Sequence, residues 1–246
     1  MNTFAAPQPD PMKTAMNVQT KEYVRLFAGI AMPEKYKQLL ADLQRRMKHH
    51  IIRPPCTGLN MPAISWACAE TWHLTLRFIG NIPTQNVQSI IDNCHTISWK
   101  PFTITPGAGG TFPSLHTKTP TPSVLWLALK QGEHEVSALA KSVNQALQPI
   151  GIVPEKRSYQ PHLTVARIRR NNKPDKKAVA SSDATALATK NSHTAKPYLT
   201  CWKSILAEAG QTVWPPYRVD RFVLWQSRLT SHGAGHTPLA EFHATI

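Results

Sequence analysis

The residues best suited to chemistry lie in a tetrapeptide that occurs twice, as HLTL at residues 73–76 and HLTV at residues 162–165. Both copies have apolar, strand-favouring surroundings, TWHLTLRFIG and YQPHLTVARI. Side chains alternate between the two faces of a strand, so each histidine shares a face with the threonine two residues later. The intervening apolar residues, with Phe78 in the first copy, are then expected on the other face. Two such strands brought together would form a small symmetric site of two imidazoles and two hydroxyls.

Two imidazoles suit a phosphodiester hydrolysis, because histidine titrates near neutral pH and two copies can hold opposite protonation states. The neutral ring takes a proton from the attacking water, while the protonated ring gives one to the leaving oxygen. Thr75 and Thr164 can donate hydrogen bonds to the non-bridging phosphate oxygens. This scheme uses no metal and no cofactor. The sequence also suggests no metal site, since His73 and His162 lack the further ligands that such sites normally need.

Other enzyme classes fit the sequence poorly. It contains no G-x-S-x-G elbow of a serine hydrolase and no Walker or dinucleotide-binding glycine pattern. The GAGG at 107–110 is followed by turn residues, so we predict a loop there. A single HLT in a strand is usually structural, but two copies in matching contexts favour a functional interpretation.

The composition indicates a globular protein with an anionic partner. Lys and Arg outnumber Asp and Glu by 28 to 14, which gives a net charge of +14 and a pI near 9.9. Nucleic acid is the first candidate partner and a membrane surface the second, while a merely basic surface is the simplest alternative. The four cysteines have no zinc spacing, and we predict reduced thiols. Neither a signal peptide nor an apolar run long enough to span a membrane is found, so we predict a cytoplasmic protein without a membrane partner.

The predicted elements place one tetrapeptide in each half of the chain. Residues 1–21 are predicted to be a disordered tail, and 22–246 a single domain with a flexible insertion at about 169–215. The pattern predicts strands at 23–31, 64–67, 102–105, 124–129, 217–226 and 236–244 and at both tetrapeptides, and helices at 33–50, 84–97, 133–147 and 199–209. This alternation predicts an α+β fold of two similar lobes, with antiparallel sheet and helices around a central cleft.

The paired H-x-T-x motifs resemble those of the 2H phosphoesterase superfamily, and the wider pattern resembles its LigT-like RNA 2′,3′-cyclic phosphodiesterase branch. The similar stretches are RLFAGIAMP, WHLTLRFIG, GGTFPS, VLWLALK, YQPHLTVAR and FVLWQSRL followed by HTPLAEF. They cover residues 23–168 and 217–244 in the family's order. The loop at 51–62, the segment 169–215 and the N-terminal tail depart from the family pattern.

This resemblance implies a bilobal α+β fold and a monomer. It also implies metal-independent hydrolysis of an RNA terminal 2′,3′-cyclic phosphate to a 2′-phosphate. His73 would be the proton donor to the leaving 3′-oxygen, and His162 the proton acceptor that activates water. Thr75 and Thr164 would bind the phosphate.

Four further residues are candidate substrate contacts. Arg77 shares the face of His73 by alternation, and Arg167 closes the second motif; each could bind phosphate, although a solvated surface arginine is an equally simple interpretation. Phe27 is predicted in the core, with stacking on a base as its functional alternative. His116 lies in a basic loop that could contact RNA. Six other histidines are assigned to surface or structure: His95, His134, His193, His232, His236 and His243.

Two alternatives to the cyclic phosphodiesterase remain open from the sequence. The same histidines would also serve a 2′–5′ RNA ligase or a 2′–5′ phosphodiesterase. A non-catalytic RNA-binding protein could instead retain the fold and the basic surface, although two intact motifs argue against it.

Overall fold

The computed structural model describes residues 22–115, 122–155, 157–169, 191–230 and 233–245. The predicted N-terminal tail and residues 170–190 of the predicted insertion lie outside these ranges. The strands are β1 Tyr23–Ala31, β2 Ile64–Trp66, β3 His73–Pro83, β4 Phe102–Phe112, β5 Val124–Gln131, β6 Leu163–Ile168, β7 Tyr217–Val219, β8 Arg221–Thr230 and β9 Gly233–His243. The helices are α1 Glu34–Ile51, α2 Val87–His95, α3 Glu133–Leu147 and α4 Asn191–Gln211. Within the described ranges, no helix has the length and apolar character needed to cross a membrane.

The strands form one antiparallel sheet in the order β7-β4-β5-β6-β3-β1-β8-β9, with β2 added on β6. β3 and β6 occupy the middle, and they pair only through Leu74 and Leu163. The sheet therefore consists of two halves that meet at a single residue pair. The α+β class and the antiparallel pairing predicted from the sequence are confirmed.

The two halves repeat the same succession of elements. β1, α1 and β3 build one half, and β5, α3 and β6 build the other, each ending on a tetrapeptide strand. The strand added outside β1 is β8, and the one added outside β5 is β4. The tetrapeptide repeat in the sequence thus marks an approximate two-fold arrangement of the fold.

Helix α1 covers one face of the sheet because its apolar residues recur at helical spacing. Tyr36, Leu40, Leu43 and Met47 are all buried in the main core. On the same helix, the buried Gln44 amide donates hydrogen bonds to the carbonyl oxygens of Ala67 and Val165. These bonds anchor the helix to the strand that carries the second tetrapeptide. The other sheet face carries a separate small apolar cluster, described below with the site.

Helix α4 belongs to the main core, although it lies within the predicted insertion. Cys201, Trp202 and Ile205 are fully buried, and α4 packs on both α1 and β4. The buried carboxylate of Glu208 accepts a hydrogen bond from Arg46 Nε at 2.9 Å and contacts His50 Nε2 at 2.8 Å. The second half of the 169–215 segment is therefore an integral part of the domain.

Two sequence expectations are wrong in this part of the fold. Cys56 and Cys201 form a disulfide that joins the loop after α1 to α4, so these two cysteines are not reduced thiols; Cys68 and Cys94 are free. The GAGG at 107–110 lies inside β4 rather than in a loop. The strand continues through these glycines, but its pairing with β5 is irregular, because the register shifts between Pro106 and Gly109.

Candidate active site

The two tetrapeptide histidines lie next to each other at the junction of the two sheet halves. His73 begins β3, and His162 immediately precedes β6. Leu74 and Leu163, the residues that follow them, are fully buried and pair with each other across the junction. Since neighbouring side chains point to opposite faces, this core pair sets both imidazoles on the opposite, accessible face.

Each imidazole is oriented by a hydrogen bond to its own chain two residues earlier. His73 Nδ1 lies 2.7 Å from the Thr71 carbonyl oxygen, and His162 Nδ1 lies 2.8 Å from that of Gln160. A carbonyl oxygen only accepts hydrogen bonds, so Nδ1 must carry the proton in both rings. In the neutral form of each ring, Nε2 is then the basic nitrogen. Both histidines are therefore prepared for proton transfer through Nε2.

Each imidazole also lies against a stacked pair of aromatic rings. The ring of His73 is 4.7 Å from Phe27, which stacks on Trp225 at 5.1 Å. The ring of His162 is 5.1 Å from Phe112, which stacks on Trp126 at 4.9 Å. The two pairs come from equivalent strands of the two halves. They limit the motion of the imidazoles and shield one side of each from water.

Gly110 is required for the second aromatic pair. A Cβ atom at this position would lie 2.4 Å from the ring of Trp126, closer than atoms in contact can approach. Only glycine therefore lets Trp126 lie across β4 and stack on Phe112. This close approach gives the GGTF stretch, which resembles a turn in the sequence, a structural role beside His162.

The two tetrapeptides hold each other through aromatic side chains. The Trp72 indole N–H donates to the Thr164 carbonyl oxygen at 2.7 Å, and the Tyr159 hydroxyl donates to that of Thr75 at 2.8 Å. Each donor thus comes from just before one histidine and binds the threonine of the other motif. Neither threonine hydroxyl has a hydrogen-bond partner among the described residues, which leaves both able to donate to a ligand.

Bulges at equivalent places change the face of the residues after each threonine. Leu76 has no partner in the β1–β3 register, and Val165 has none in the β5–β6 register. The alternation used in the sequence analysis therefore fails beyond Thr75. Arg77 turns to the opposite face, where it is buried, donates to the Val153 carbonyl oxygen and lies 3.5 Å from Glu155. The expectation that Arg77 shares the face of His73 is wrong.

The same bulge brings Phe78 to the site face instead of the core. Its ring is about half exposed, at 49%, and lies 6.2 Å from that of Phe27. The expectation that Phe78 points into the core with Leu74 is therefore wrong as well. Arg167 is the equivalent residue of β6, and it is exposed. The two halves thus present an aromatic ring and a guanidinium at corresponding positions.

The surroundings of both histidines oppose a positive charge. The pKa of His73 is lowered to about 4, chiefly by burial and further by the charges of His236, Arg167 and His162, while the hydrogen bond to Thr71 acts in the opposite direction. Burial also lowers the pKa of His162, and Arg167 adds to the effect. Arg167 is the cation that acts on both rings. Near neutral pH both histidines are uncharged in the unliganded protein.

His236 is a site residue that the sequence analysis missed. Its ring lies edge-on to both His73, at 5.2 Å, and Phe27, at 4.8 Å. The pairing of β9 with β8 brings it there. His236 is opposite Ser227, and Ser227 lies two residues after Trp225 on β8. No spacing relative to either tetrapeptide indicates this contact. The sequence alone therefore assigns His236 to the surface or structural histidines.

Two candidates from the sequence remain, Phe27 and His116. Phe27 is 2% exposed, so it supports His73 from below and is not accessible for stacking on a base. His116 lies outside the described residues. Within the ranges that the structure describes, no three His, Cys, Asp or Glu side chains cluster closely enough to hold a metal ion.

The chain is similar to known phosphoesterases in sequence. Residues 30–122 match the family model described as LigT like Phosphoesterase. The chain is 33% identical over 107 residues to the RNA 2′,3′-cyclic phosphodiesterase of Aquifex aeolicus, covering 42% of this chain and 55% of that protein. It is 32% identical over 153 residues to the protein of the same name from Archaeoglobus fulgidus, covering 61% and 75%. The chain thus spans little more than half of the Aquifex relative's length.

The fold is similar to solved structures over nearly the whole chain. Escherichia coli LigT complexed with 3′-AMP superposes with a TM-score of 0.58 at 20% identity, covering 92% of this chain and all of that one. A Thermus thermophilus structure gives 0.56 at 20% identity, covering 89% and 97%. Because it matches the family model and is 32% identical to the Archaeoglobus relative over 75% of that protein, the chain belongs to the LigT-like phosphoesterase family.

Proposed function

We propose that this protein hydrolyses an RNA terminal 2′,3′-cyclic phosphate to a 2′-phosphate by acid–base catalysis with His73 and His162. The observation that carries the proposal is the pair of imidazoles on strands joined at Leu74 and Leu163, each anchored through Nδ1. The names of the relatives support the substrate class. The charge of +14 favours an anionic polymer as the partner.

The reaction assigns one Nε2 atom to each proton transfer. His162 Nε2 takes a proton from water as the water oxygen bonds to phosphorus, and the bond from phosphorus to the 3′-oxygen breaks. The protonated His73 gives its Nε2 proton to that oxygen, which leaves a 2′-phosphate and a free 3′-hydroxyl. Thr75 and Thr164 donate hydrogen bonds to the non-bridging oxygens, where negative charge accumulates. The equation balances with water as the only co-substrate.

His73 must gain a proton that it lacks in the unliganded protein, given a pKa of about 4. The bound phosphodiester supplies the negative charge that favours the protonated ring, since an anion within a few ångströms raises the pKa of a histidine. We propose that Arg167 contacts the same phosphate, a role supported by the effect of its charge on both imidazoles. Substrate binding and protonation of the general acid are therefore coupled.

The first test is hydrolysis of a short RNA that ends in a 2′,3′-cyclic phosphate, in the presence of EDTA. We expect the wild type to form a 2′-phosphate, and His162→Ala to be slower by about 10²–10⁴-fold. His95→Ala is the matched control, because His95 packs on Phe242 away from both tetrapeptides and should leave the rate unchanged. A 3′-phosphate product would contradict the assigned leaving group. No turnover by the wild type, with activity on 2′–5′-linked RNA instead, would reassign the substrate.

A further inference from the structure

His236 brings a third imidazole to the first half of the site. Together with Phe27 and Trp225, it surrounds the ring of His73, whose centroid lies 4.7 Å from Phe27, 5.7 Å from Trp225 and 5.2 Å from His236. Planes at 85° place the edge of one imidazole against the face of the other. His236 therefore restricts the tilt of the His73 ring, while the bond to Thr71 restricts its rotation.

The second half of the site has no such residue among those that the structure describes. His162 contacts the rings of Phe112 and Trp126, and no imidazole from the described ranges joins them there. The approximate two-fold arrangement is thus broken at one side chain. The difference falls on the histidine that has the role of proton donor in the proposed reaction.

The ring of His236 is partly buried beside Phe27 and His73. The Nδ1 atom of His236 is buried and has no hydrogen-bond partner within the described residues. His236 therefore places a second titratable ring in direct contact with that of His73.

None of the groups that face His73 is an anion: they are uncharged rings, the permanently positive Arg167, and two histidines that become positive on protonation. β1 and β8 contribute the uncharged rings of Phe27 and Trp225, the β6 side contributes His162 and Arg167, and β9 contributes His236. Because His236 is in ring contact with His73, the two cannot both be protonated without strong repulsion.

We propose that His236 is a positioning residue that holds the ring of His73 and governs when that ring takes up a proton. A protonated His236 keeps His73 neutral, and a bound anion lets His73 carry the charge instead. Burial lowers the pKa of His236 itself, so it is uncharged near neutral pH and opposes His73 only under acidic conditions. The proposal deepens the function proposed above and rests on it for the donor role of His73.

The test is an NMR titration of the His73 imidazole in the full-length protein, with its signal assigned by its loss in His73→Gln. In His236→Gln we expect the His73 pKa to rise by about 0.5 unit or more, because a nearby positive charge and part of the enclosure are removed. His243→Gln is the matched control, since His243 lies on the same strand, is exposed and has its imidazole beside Glu241 rather than His73. An unchanged His73 pKa in His236→Gln, or an equal shift in the control, would overturn the proposal.

A second variant separates charge from packing. His236→Phe keeps a ring against Phe27 and His73 but cannot be protonated. If the charge of His236 matters, the acid limb of kcat for the cyclic phosphate moves in both His236→Phe and His236→Gln; if neither variant moves it, the proposal fails. The titration needs no turnover. A wild type that lacks activity would therefore contradict the proposed function alone, and an unshifted His73 in an active enzyme would contradict the role of His236 alone.

Discussion

At the scale of single residues, the two motif histidines have the same anchors but different electrostatic surroundings. Both donate Nδ1–H to a carbonyl oxygen and rest on an aromatic pair. Burial lowers the pKa of His73 to about 4, and the neighbouring His236, which has no counterpart beside His162 among the described residues, contributes to this shift. In the proposed reaction the more strongly depressed ring is the acid. Its charge must come from the complex with substrate, which couples proton uptake to anion binding.

This coupling predicts that a nucleoside 2′-monophosphate binds more tightly as the pH falls from about 7 to about 5. The ligand favours the protonated form of His73, so its binding takes up a proton and lowering the pH increases the affinity. Calorimetry in buffers of different ionisation enthalpy would measure the proton uptake directly.

The control for this prediction is His73→Gln. It removes the titrating group and should reduce the uptake by about one proton per site when the ligand's own ionisation is subtracted. An equal uptake by the wild type and this variant would show that another group receives the proton.

At the scale of elements, β3 and β6 depend on each other far more than one pair of residues suggests. They share only the Leu74–Leu163 pair, but Trp72 and Tyr159 each bind the threonine carbonyl oxygen of the opposite motif. These crossed bonds fix the separation of the two tetrapeptides where the sheet ladder does not. By holding the backbone of Thr75 and Thr164, they also set the positions of the two threonine hydroxyls relative to each other.

Tyr159→Phe tests this role by removing one hydroxyl and little else. We expect the free energy of unfolding to fall by about 1 kcal/mol, the value of a typical hydrogen bond, and kcat to fall because Thr75 is less well held. Tyr198→Phe removes an exposed hydroxyl that donates to Asn60, and it should change neither quantity appreciably. The prediction fails if the two variants have the same kcat.

The contact of α1 with α4 gives a prediction about stability alone. Glu208 is buried between Arg46 and His50, so Glu208→Gln leaves the Arg46 guanidinium without its carboxylate. We expect a loss of about 2 kcal/mol in urea unfolding, with little change in kcat. Glu241→Gln breaks a surface pair with Arg221 and should cost less than about 1 kcal/mol. Equal losses would mean that the α1–α4 contact does not depend on this cluster.

At the scale of the whole molecule, the partly buried, neutral His73 makes stability depend on pH. His73 titrates at about 4 when folded and at an ordinary 6.5 when unfolded, so between these values the unfolded chain binds more protons. The free energy of unfolding therefore decreases as the pH falls through this window, by at most about 3 kcal/mol from this residue. Urea unfolding at about pH 7 and pH 5 would show the loss, and His73→Gln should show less of it. If His73→Gln lost as much free energy of unfolding as the wild type between these pH values, the pH dependence would come from other groups.

The sequence was sufficient for the parts of the molecule that follow regular periodicity. Alternation in the HLTL and HLTV strands and the helical spacing in α1 predicted the antiparallel α+β architecture, which the structure confirms. Periodicity fails where a bulge adds a residue, so Arg77 and Phe78 were placed on the wrong faces. It is also silent about pairing between distant segments. The contact of His236 with His73 and the disulfide of Cys56 with Cys201 therefore emerged only from the folded chain.

The single pair of Leu74 with Leu163 has a stereochemical consequence. An approximate two-fold axis through that pair relates Thr75 to Thr164, and it would likewise exchange the two non-bridging oxygens of a phosphorus bound above it. Sulfur in place of one oxygen makes the phosphorus chiral and abolishes this equivalence. Thr75→Val and Thr164→Val are then expected to prefer opposite phosphorothioate diastereomers of the cyclic phosphate. The handedness of the favoured substrate would thus report which half of the sheet holds which oxygen.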